Sequence, residues 1–356
     1  MVRNIFKSTY LDFIMGIKFT GLVPRKEISF DDLKGKKIVI DASNMLYQFL
    51  SSIRQKDGTL LMDSEGNVTS HLMGIFSRLT NLMNRDMKLA VVFDGKPPLL
   101  KLKEQEEREH RKRVAEVKMQ QALEEEDKEE AYKYAKQTSR LTRIMVDESK
   151  ELISALGMPV IQAPSEAEAQ AAFICEKGDV WAVASSDMDC LVYGAPRMIP
   201  NLTLSQKRKL PSGGYIITAP EMFELKDVLN TLGINKDQLL VLGILVGTDY
   251  NIGGVKGIGP KTALKLVKQY KDFDELFEQV KPDFNWKEIY AVFKSMPIMK
   301  NYQLKWKDID VGKVKEILVE RHEFNEERVE NGLKKLQKEA NETKKKKSQK
   351  GLGEFF

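Results

Sequence analysis

The sequence predicts an α/β protein with a mostly parallel central sheet flanked by helices. Apolar runs at 36–41, 88–95, 158–163 and 179–185 have the length of strands, and longer segments with helical spacing separate them. Strands that alternate with helices in this way form a parallel sheet covered on both faces. From about residue 235 the apolar pattern is helical, so a helical region is expected to follow the sheet.

The composition is that of a chain with a substantial core and a charged surface. Of its 356 residues 42% are hydrophobic, and 57 Lys and Arg face 52 Asp and Glu. Basic residues crowd 101–118 and 256–271, whereas acids recur at the ends of apolar runs, a pattern typical of polyanion binding near metal ions. The two cysteines indicate a reducing compartment, and no apolar run reaches the roughly 18 residues that a membrane helix needs.

The elements are expected in a fixed order along the sheet region. A strand at 36–41 leads to an amphipathic helix, a turn-rich loop or small hairpin, and a helix at 70–85. After the strand at 88–95, residues 101–136 are helix-forming but almost all charged, so they cannot pack deeply on a core. A helix stopped by Gly157, a strand, another helix and a strand ending at Ser185 complete this region.

Acidic residues stand where the predicted strands end. Ligands of open α/β sheets bind outside the carboxyl ends of the strands, and seven acids converging there would repel each other unless cations neutralise them. Oxygen ligands without Cys or His favour Mg²⁺ or Mn²⁺, and two such ions about 4 Å apart can activate water and stabilise a leaving oxygen. A single acid after a strand is usually a cap, but four acidic clusters at one edge favour a metal site. The seven candidate ligands are Asp41, Asp94, Glu166, Glu168, Asp187, Asp189 and Asp249. Asp249 differs from the others in following the glycine that ends an apolar helix, where a loop can turn it inward.

The stretch APSEAEAQAAF, residues 163–173, allows two interpretations. Ser165 and Glu168 match a capping box, in which serine and glutamate bond each other's backbone donors at a helix start. Glu166 would then have no structural role. We expect a helix to begin here, with Ser165 able to cap it and with Glu166 and Glu168 directed to a metal.

Basic and glycine-rich positions indicate contacts with phosphates. The segment GGVKGIGPKTALKLV fits a helix-hairpin-helix within 247–270, in which glycines permit close approach of a phosphate and Pro260 suits the first helical position. A tight helical hairpin without a ligand is the alternative. Candidate DNA contacts in this segment are Gly247, Lys256, Gly257, Gly259, Lys261 and Lys265.

Two pairs of residues seven positions apart share a helical face in this interpretation. Lys101 and Arg108 would both overhang the acidic edge, because their helix starts just after Asp94. Tyr47 and Arg54 are predicted on one face of the first helix. Spacing leaves open whether Tyr47 stacks on a base or packs in the core.

These motifs closely resemble the flap endonuclease family of structure-specific nucleases. The match includes TSHLMGIFSR, VFDGKPP, APSEAEAQAA, SSDMDCLVYG, GTDYN and GVKGIGPKTAL, and covers nearly the whole chain. The resemblance implies cleavage of branched DNA at the base of a 5′ flap, with 5′–3′ exonuclease activity, two Mg²⁺ ions that Mn²⁺ can replace, and a ligatable nick as product.

The resemblance also implies a role for each site residue. Asp41, Asp94, Glu166 and Glu168 would serve a first metal, and Asp187, Asp189 and Asp249 a second, with some sharing. Lys101 and Arg108 would contact the scissile phosphate, and Tyr47 the adjacent base. Arg54 and Arg78 would grip the template strand, and Gly247 would lie in a DNA-contacting turn.

The resemblance further suggests how the chain is divided. The expected regions are an extra leader 1–14, an N-terminal nuclease region 15–112, a charged helical arch 113–136, an internal nuclease region 137–272, a C-terminal helical region 273–340 and a flexible tail 341–356. The leader is interpreted as a misassigned start or, alternatively, a real extension. The tail ends in a sliding-clamp (PCNA) binding box, 349–356, with Gln349, Leu352, Phe355 and Phe356 as anchors.

Other functions remain open at this point. A related superfamily nuclease could act on nicks, gaps, bubbles or junctions, and a Mg²⁺-dependent phosphohydrolase could act on small substrates. A non-catalytic DNA-binding partner of the clamp is a third alternative. A monomer without membrane association is expected, cytoplasmic and nucleoid-associated in an archaeal cell or nuclear in a eukaryotic one.

Overall fold

The computed structural model describes residues 21–204, 207–209 and 214–337, and its main feature is a mixed sheet. Within these residues the sheet has seven strands in the order β1-β9-β6-β5-β2-β3-β4. Strands β2 to β6 run parallel to their neighbours, whereas β9 pairs antiparallel with both β6 and β1. The strands are β1 Lys26–Glu27, β2 Lys37–Asp41, β3 Lys88–Phe93, β4 Val160–Gln162, β5 Ala182–Ala184, β6 Arg197–Met198 and β9 Glu221–Glu224, with β7 Lys207–Lys209 and β8 Tyr215–Ile217 forming a separate antiparallel pair.

Helices cover both faces of this sheet. In chain order they are α1 Ala42–Ser52, α2 Ser70–Gly74, a π-helical turn Ile75–Leu79, α3 Thr80–Met83, a 3₁₀ turn Leu99–Lys101, α4 Leu102–Glu124, α5 Lys128–Ala135, α6 Arg143–Ala155, α7 Ala167–Glu176, α8 Asp189–Val192, α9 Leu225–Leu232, α10 Lys236–Val246, α11 Pro260–Gln269, α12 Phe273–Val280, α13 Trp286–Lys294, α14 Val311–Lys315 and a second π-helical turn Glu316–Arg321. Residues 326–337 are also helical. The predicted α/β fold with a mostly parallel sheet is therefore confirmed.

Alternation along the central strands explains the two layers of helices. In β2, Ile38 and Ile40 pack with α1 and α6 on one face, and Val39 packs with α7 and α10 on the other. All three side chains are fully buried, as expected for a strand covered on both faces. The carboxyl ends of β2, β3 and β5 thus emerge together between the helical layers.

The charged segment 101–136 forms a helical hairpin beside this edge. Helices α4 and α5 pack against each other, and α4 buries only Glu104, Ala115 and Ala122. The prediction that this segment cannot pack deeply is confirmed, because an almost wholly charged helix has no continuous apolar stripe.

Several sequence predictions fall outside this description. The leader 1–14, the tail 341–356 and the clamp box with Gln349, Leu352, Phe355 and Phe356 lie outside the described residues. The division into nuclease, arch and C-terminal regions stays a prediction. The antiparallel strands β1 and β9 were not predicted. In the described part of the chain, no helix has the length and apolar character needed to cross a membrane.

Candidate active site

Asp41 ends the central strand and begins the helix that follows. Its Oδ1 accepts a hydrogen bond from the Asn44 backbone N–H at 3.1 Å, which caps α1, and its Oδ2 accepts one from Ser185 Oγ at 3.1 Å. The side chain is almost completely buried. A capping role and a position at the carboxyl edge of the sheet therefore coexist in one residue.

Asp94 follows β3 and joins this strand to the start of α7. Its Oδ1 accepts a hydrogen bond from the Ala167 backbone N–H at 2.7 Å, and its Oδ2 accepts one from Ser43 Oγ. Gly95 permits the approach, because a Cβ there would lie 2.2 Å from the carbonyl oxygen of Ala163. The glycine thus brings Asp94 beside the acids of α7.

The start of α7 does not form the capping box that the sequence suggested. Glu166 is the N-cap residue without a capping side chain, and Ser165 Oγ donates to the Lys96 carbonyl oxygen at 2.9 Å. The expectation that Ser165 caps the helix is therefore wrong, because its hydroxyl finds a partner on the neighbouring loop. Glu168 does not cap the helix, and its Oε2 is buried without a hydrogen-bond partner among the described residues.

The seven predicted acids lie in one cleft at the sheet edge. Oxygen atoms of Asp94, Glu166 and Glu168 all lie within 4.8 Å of one another. Asp187 and Asp189 follow β5, and Asp249 follows α10; all three are at most 7% exposed. Oxygen donors, mutual proximity and an unpartnered carboxylate oxygen fit a hard divalent cation of the Mg²⁺ or Mn²⁺ type.

Electrostatic coupling links these acids. Burial, and then the Asp94 carboxylate, raise the pKa of Asp41 to about 7. Burial also raises the pKa of Glu168 well above its usual value, with Asp41 contributing, and that of Asp187, with Asp189 contributing. Raised pKa values are the response expected of like charges held close together out of water.

Two basic side chains of the 3₁₀ turn and α4 enter the same cleft. Lys101 Nζ pairs with Glu166 and lies 3.2 Å from Asp249 Oδ2, and Arg108 Nη2 lies 3.8 Å from that same oxygen. Burial alone would lower the pKa of Lys101, but the carboxylates of Glu168, Asp249 and Glu166 outweigh burial and raise it. The predicted shared face of Lys101 and Arg108 thus points into the acids.

Tyr47 lies beneath α4 rather than in the core. Its ring is half-buried on α1, belongs to neither hydrophobic cluster, and has Lys112 Nζ 5.2 Å from its centroid. Of the two interpretations of Tyr47, packing in the core is therefore wrong.

Arg78, on the π-helical turn, is half-buried, and burial lowers its pKa.

Arg54 does not share the helical face of Tyr47, because α1 already ends at Ser52. Its Nε donates to the Leu50 carbonyl oxygen at 2.8 Å, Nη1 to that of Gly58 at 2.7 Å, and Nη2 to Ser139 Oγ at 2.7 Å. Arg54 thus ties the end of α1 to the following loop and to the segment after α5.

The glycine-rich segment connects α10 to α11. Gly247 has a φ of 115°, and a Cβ there would lie 2.7 Å from the Gly254 nitrogen, so this tight turn requires glycine. Pro260 is the first residue of α11 after the N-cap Gly259, as predicted. The predicted positions Lys256, Gly257, Gly259, Lys261 and Lys265 are all exposed.

Sequence reasoning missed one buried acid beside the cleft, Glu104 on α4. This side chain is fully buried and accepts a hydrogen bond from Arg108 Nε at 2.8 Å. Its position three residues after Lys101 and four before Arg108 was the available signal, because this spacing puts all three on one helical face.

Comparison with known proteins agrees with this fold. Residues 15–115 match the XPG N-terminal domain and residues 157–249 match the XPG I-region. The chain is thus a nuclease of the XPG type, a hydrolase. Within that class it belongs to the flap endonuclease 1 family. Flap endonuclease 1 of Pyrococcus abyssi is 48% identical over 325 residues, covering 91% of this chain and 94% of that protein.

Further relatives give the same result. Flap endonuclease 1 of Staphylothermus marinus is 48% identical over 350 residues, covering 96% of this chain and 100% of that protein. The solved flap endonuclease-1 from Methanococcus jannaschii superposes with a TM-score of 0.73 at 43% identity, covering 92% of this chain and 100% of that one. Human GEN1 in complex with Holliday junction DNA, at 20% identity and a TM-score of 0.62, shares the fold.

Proposed function

We propose that this chain is a structure-specific 5′ flap endonuclease with 5′–3′ exonuclease activity. It would cut branched DNA at the base of a 5′ flap by Mg²⁺-dependent hydrolysis of a phosphodiester and leave a ligatable nick. The observation that carries this proposal is the convergence of seven acids with Lys101 and Arg108 at one edge of the sheet. Membership of the flap endonuclease 1 family supports it.

Two Mg²⁺ ions, or Mn²⁺ in their place, would be held by the cleft. Asp41, Asp94, Glu166 and Glu168 would hold one, and Asp187, Asp189 and Asp249 the other, with some sharing. Metal ions bound to such acids supply a water-derived nucleophile at neutral pH and stabilise the leaving oxygen. The buried, unpartnered Glu168 Oε2 supports this assignment, because a native carboxylate oxygen is rarely left without a partner.

Lys101 and Arg108 would bind the scissile phosphate. In the structure both cations pair with carboxylates, and both lie near Asp249 Oδ2. Neutralising those acids would release the two side chains for a phosphate, which carries the same sign of charge. Arg108 suits this role because a guanidinium can donate two parallel hydrogen bonds to one phosphate.

The remaining predicted contacts would hold the rest of the DNA. Tyr47 beneath α4 would stack on the base beside the cut, and Arg78 would contact the template strand. The glycine-rich segment presents Gly247, Lys256, Gly257, Gly259, Lys261 and Lys265 for sequence-independent contacts with phosphates. Arg54 would brace the loop after α1 and grip the template strand with its remaining N–H donors. The clamp box 349–356 as a PCNA anchor, the monomeric state and the cellular location belong to this proposal.

Cleavage assays on labelled DNAs test the proposal. Flap, nick, bubble and junction substrates are incubated with Mg²⁺ or with EDTA, and we expect Mg²⁺-dependent cleavage with the flap cut fastest. Asp187→Ala should reduce flap cleavage by about a thousandfold or more. Asp227→Ala, the same change at an exposed position of α9, is the matched control and should cleave at the wild-type rate.

Two results would contradict the proposal. Flap cleavage by Asp187→Ala at the wild-type rate would show that the acidic cleft is not the active site. Faster cutting of the junction or the bubble than of the flap would assign the chain to another activity of its superfamily.

A further inference from the structure

Glu104 is exceptional on the helix that carries it. Helix α4 is charged and largely exposed, and its only buried residues are Glu104, Ala115 and Ala122. Glu104 has 0% of its surface exposed. An acid in the first turn complements the helix dipole, but an exposed acid would do so equally well. Because burying a carboxylate is unfavourable unless it is well paired, its burial needs another cause.

The partners of Glu104 connect it to the cleft. Its Oε1 accepts a hydrogen bond from Arg108 Nε at 2.8 Å and lies 3.9 Å from Arg111 Nη2. Its Oε2 is buried without a hydrogen-bond partner in the described part of the chain. Burial raises the pKa of Glu104 against the opposing effect of Arg108, and the Asp249 carboxylate raises it further. Glu104 therefore belongs to the electrostatic environment of the site without being one of the seven acids.

The hydrogen bond from Arg108 Nε to Glu104 determines which edge of the guanidinium is available for another anion. A guanidinium is a planar fork, and fixing it by Nε leaves its Nη atoms as the donors for a second anion. Arg108 Nη2 indeed lies on the side of the cleft, 3.8 Å from Asp249 Oδ2. A free arginine side chain has rotamer freedom to lose in the reactive geometry, so a preset orientation of the guanidinium should raise the rate of cleavage.

We propose that Glu104 is a positioning residue, whose buried carboxylate holds Arg108 by Nε so that the Nη atoms face the scissile phosphate. The inference rests on the proposed function, because it assumes that Arg108 binds this phosphate. It assigns to α4 a second task besides carrying Arg108: the helix supplies the acid that orients its own arginine four residues later.

A double-mutant cycle under single-turnover conditions tests this inference. Rates of flap cleavage and dissociation constants for the flap are measured for Glu104→Ala, Glu104→Gln, Arg108→Ala and the double variant Glu104→Ala/Arg108→Ala. Glu104→Ala should slow cleavage by about ten- to a hundredfold, the range expected for a displaced catalytic group, with a dissociation constant within about twofold of wild type. Glu106→Ala, an exposed acid on the same helix, should match the wild type in both measurements.

Non-additivity is the decisive readout. If Glu104 acts through Arg108, adding Glu104→Ala to Arg108→Ala should cause no further loss of rate. Glu104→Gln keeps the carbonyl oxygen that accepts from Nε, so it should retain more activity than Glu104→Ala. Three results would each overturn the inference. The losses of cleavage rate in the two single variants could multiply in the double variant, or Glu104→Gln could lose as much rate as Glu104→Ala. The third result is a lowered unfolding midpoint with an unchanged cleavage rate.

The same cycle separates this inference from the proposed function. A wild-type rate for Arg108→Ala would remove Arg108 from the active site, and the positioning role of Glu104 would fall with it. A slow Arg108→Ala together with a fast Glu104→Ala would leave the proposed function intact and overturn the inference about Glu104 alone.

Discussion

Two buried charge clusters in this molecule differ in how their acids are paired. In the cleft, seven acids face two basic side chains, Lys101 and Arg108. In a second cluster, between the loop after α1, α6 and the C-terminal helices, acids alternate with histidines. There His322 Nδ1 lies 2.9 Å from Asp63 Oδ2, and His322 Nε2 lies 3.2 Å from Glu148 Oε1. His71 Nε2 lies 3.1 Å from Glu148 Oε2.

The pKa shifts of the two clusters have opposite signs. In the histidine cluster, burial alone would raise the pKa of Asp63, but hydrogen bonds from His322 and Asn67 outweigh burial and lower it to about 2. The pKa of Glu148 is also lowered, because contacts with the two histidines outweigh its burial. In the cleft, the pKa values of Asp41, Glu168 and Asp187 are raised. Acids paired within the chain stabilise the fold, whereas acids left facing each other are suited to an external cation.

The largest expected effect comes from neutralising one acid of the cleft. Glu168→Gln should reduce flap cleavage by about a thousandfold, because a charged ligand is lost. In EDTA the same variant should unfold at a higher temperature than the wild type, since a repelling carboxylate is removed. Rates and unfolding midpoints check both changes, with Glu176→Gln at the exposed end of α7 as control. A lower midpoint in EDTA would show that Glu168 is paired like the acids of the histidine cluster.

A second prediction concerns pH and metal. Because the pKa of Asp41 is about 7 in the folded protein and 3.8 in its ordinary state, the folded chain holds a proton that the unfolded chain releases. The contribution of Asp41 to the free energy of unfolding in EDTA should therefore fall as pH rises from about 4 to 7. Mg²⁺ should raise the unfolding midpoint more at pH 8 than at pH 5, because ligands bind metal in the deprotonated form. An equal rise at both pH values would contradict this account.

The smallest effect is expected in the histidine cluster, where neutralising an acid should lower the unfolding midpoint rather than raise it. Glu148→Gln should lower the unfolding midpoint by about 5 °C, because His71 and His322 lose the carboxylate between them. Flap cleavage should stay within about twofold of wild type, since the cluster takes no part in the site. Asp147→Asn on the same helix, at an exposed position, should change neither quantity. A stabilised Glu148→Gln would remove the distinction between the clusters.

The sequence alone determined the framework of this protein. The strands β2, β3, β4 and β5 lie within the four apolar runs. Six of the seven acids stand at or after the ends of those strands, whereas Asp249 follows the apolar helix α10. The local apolar pattern is enough to predict these strands, because it shows which residues must be buried regardless of what they pack against. The start of α7 was likewise readable from its polar residues, although the capping box was not formed.

Only the tertiary structure decided which partner each polar group takes. Ser165 bonds to the Lys96 carbonyl, Arg54 ties two loops to α1, and Glu104 is buried against Arg108. The antiparallel strands β1 and β9 also depend on neighbours far away in the chain. Hydrogen bonds and ion pairs of similar energy compete for each such group, so sequence spacing allows several partners. The fold selects one by bringing distant segments within bonding distance.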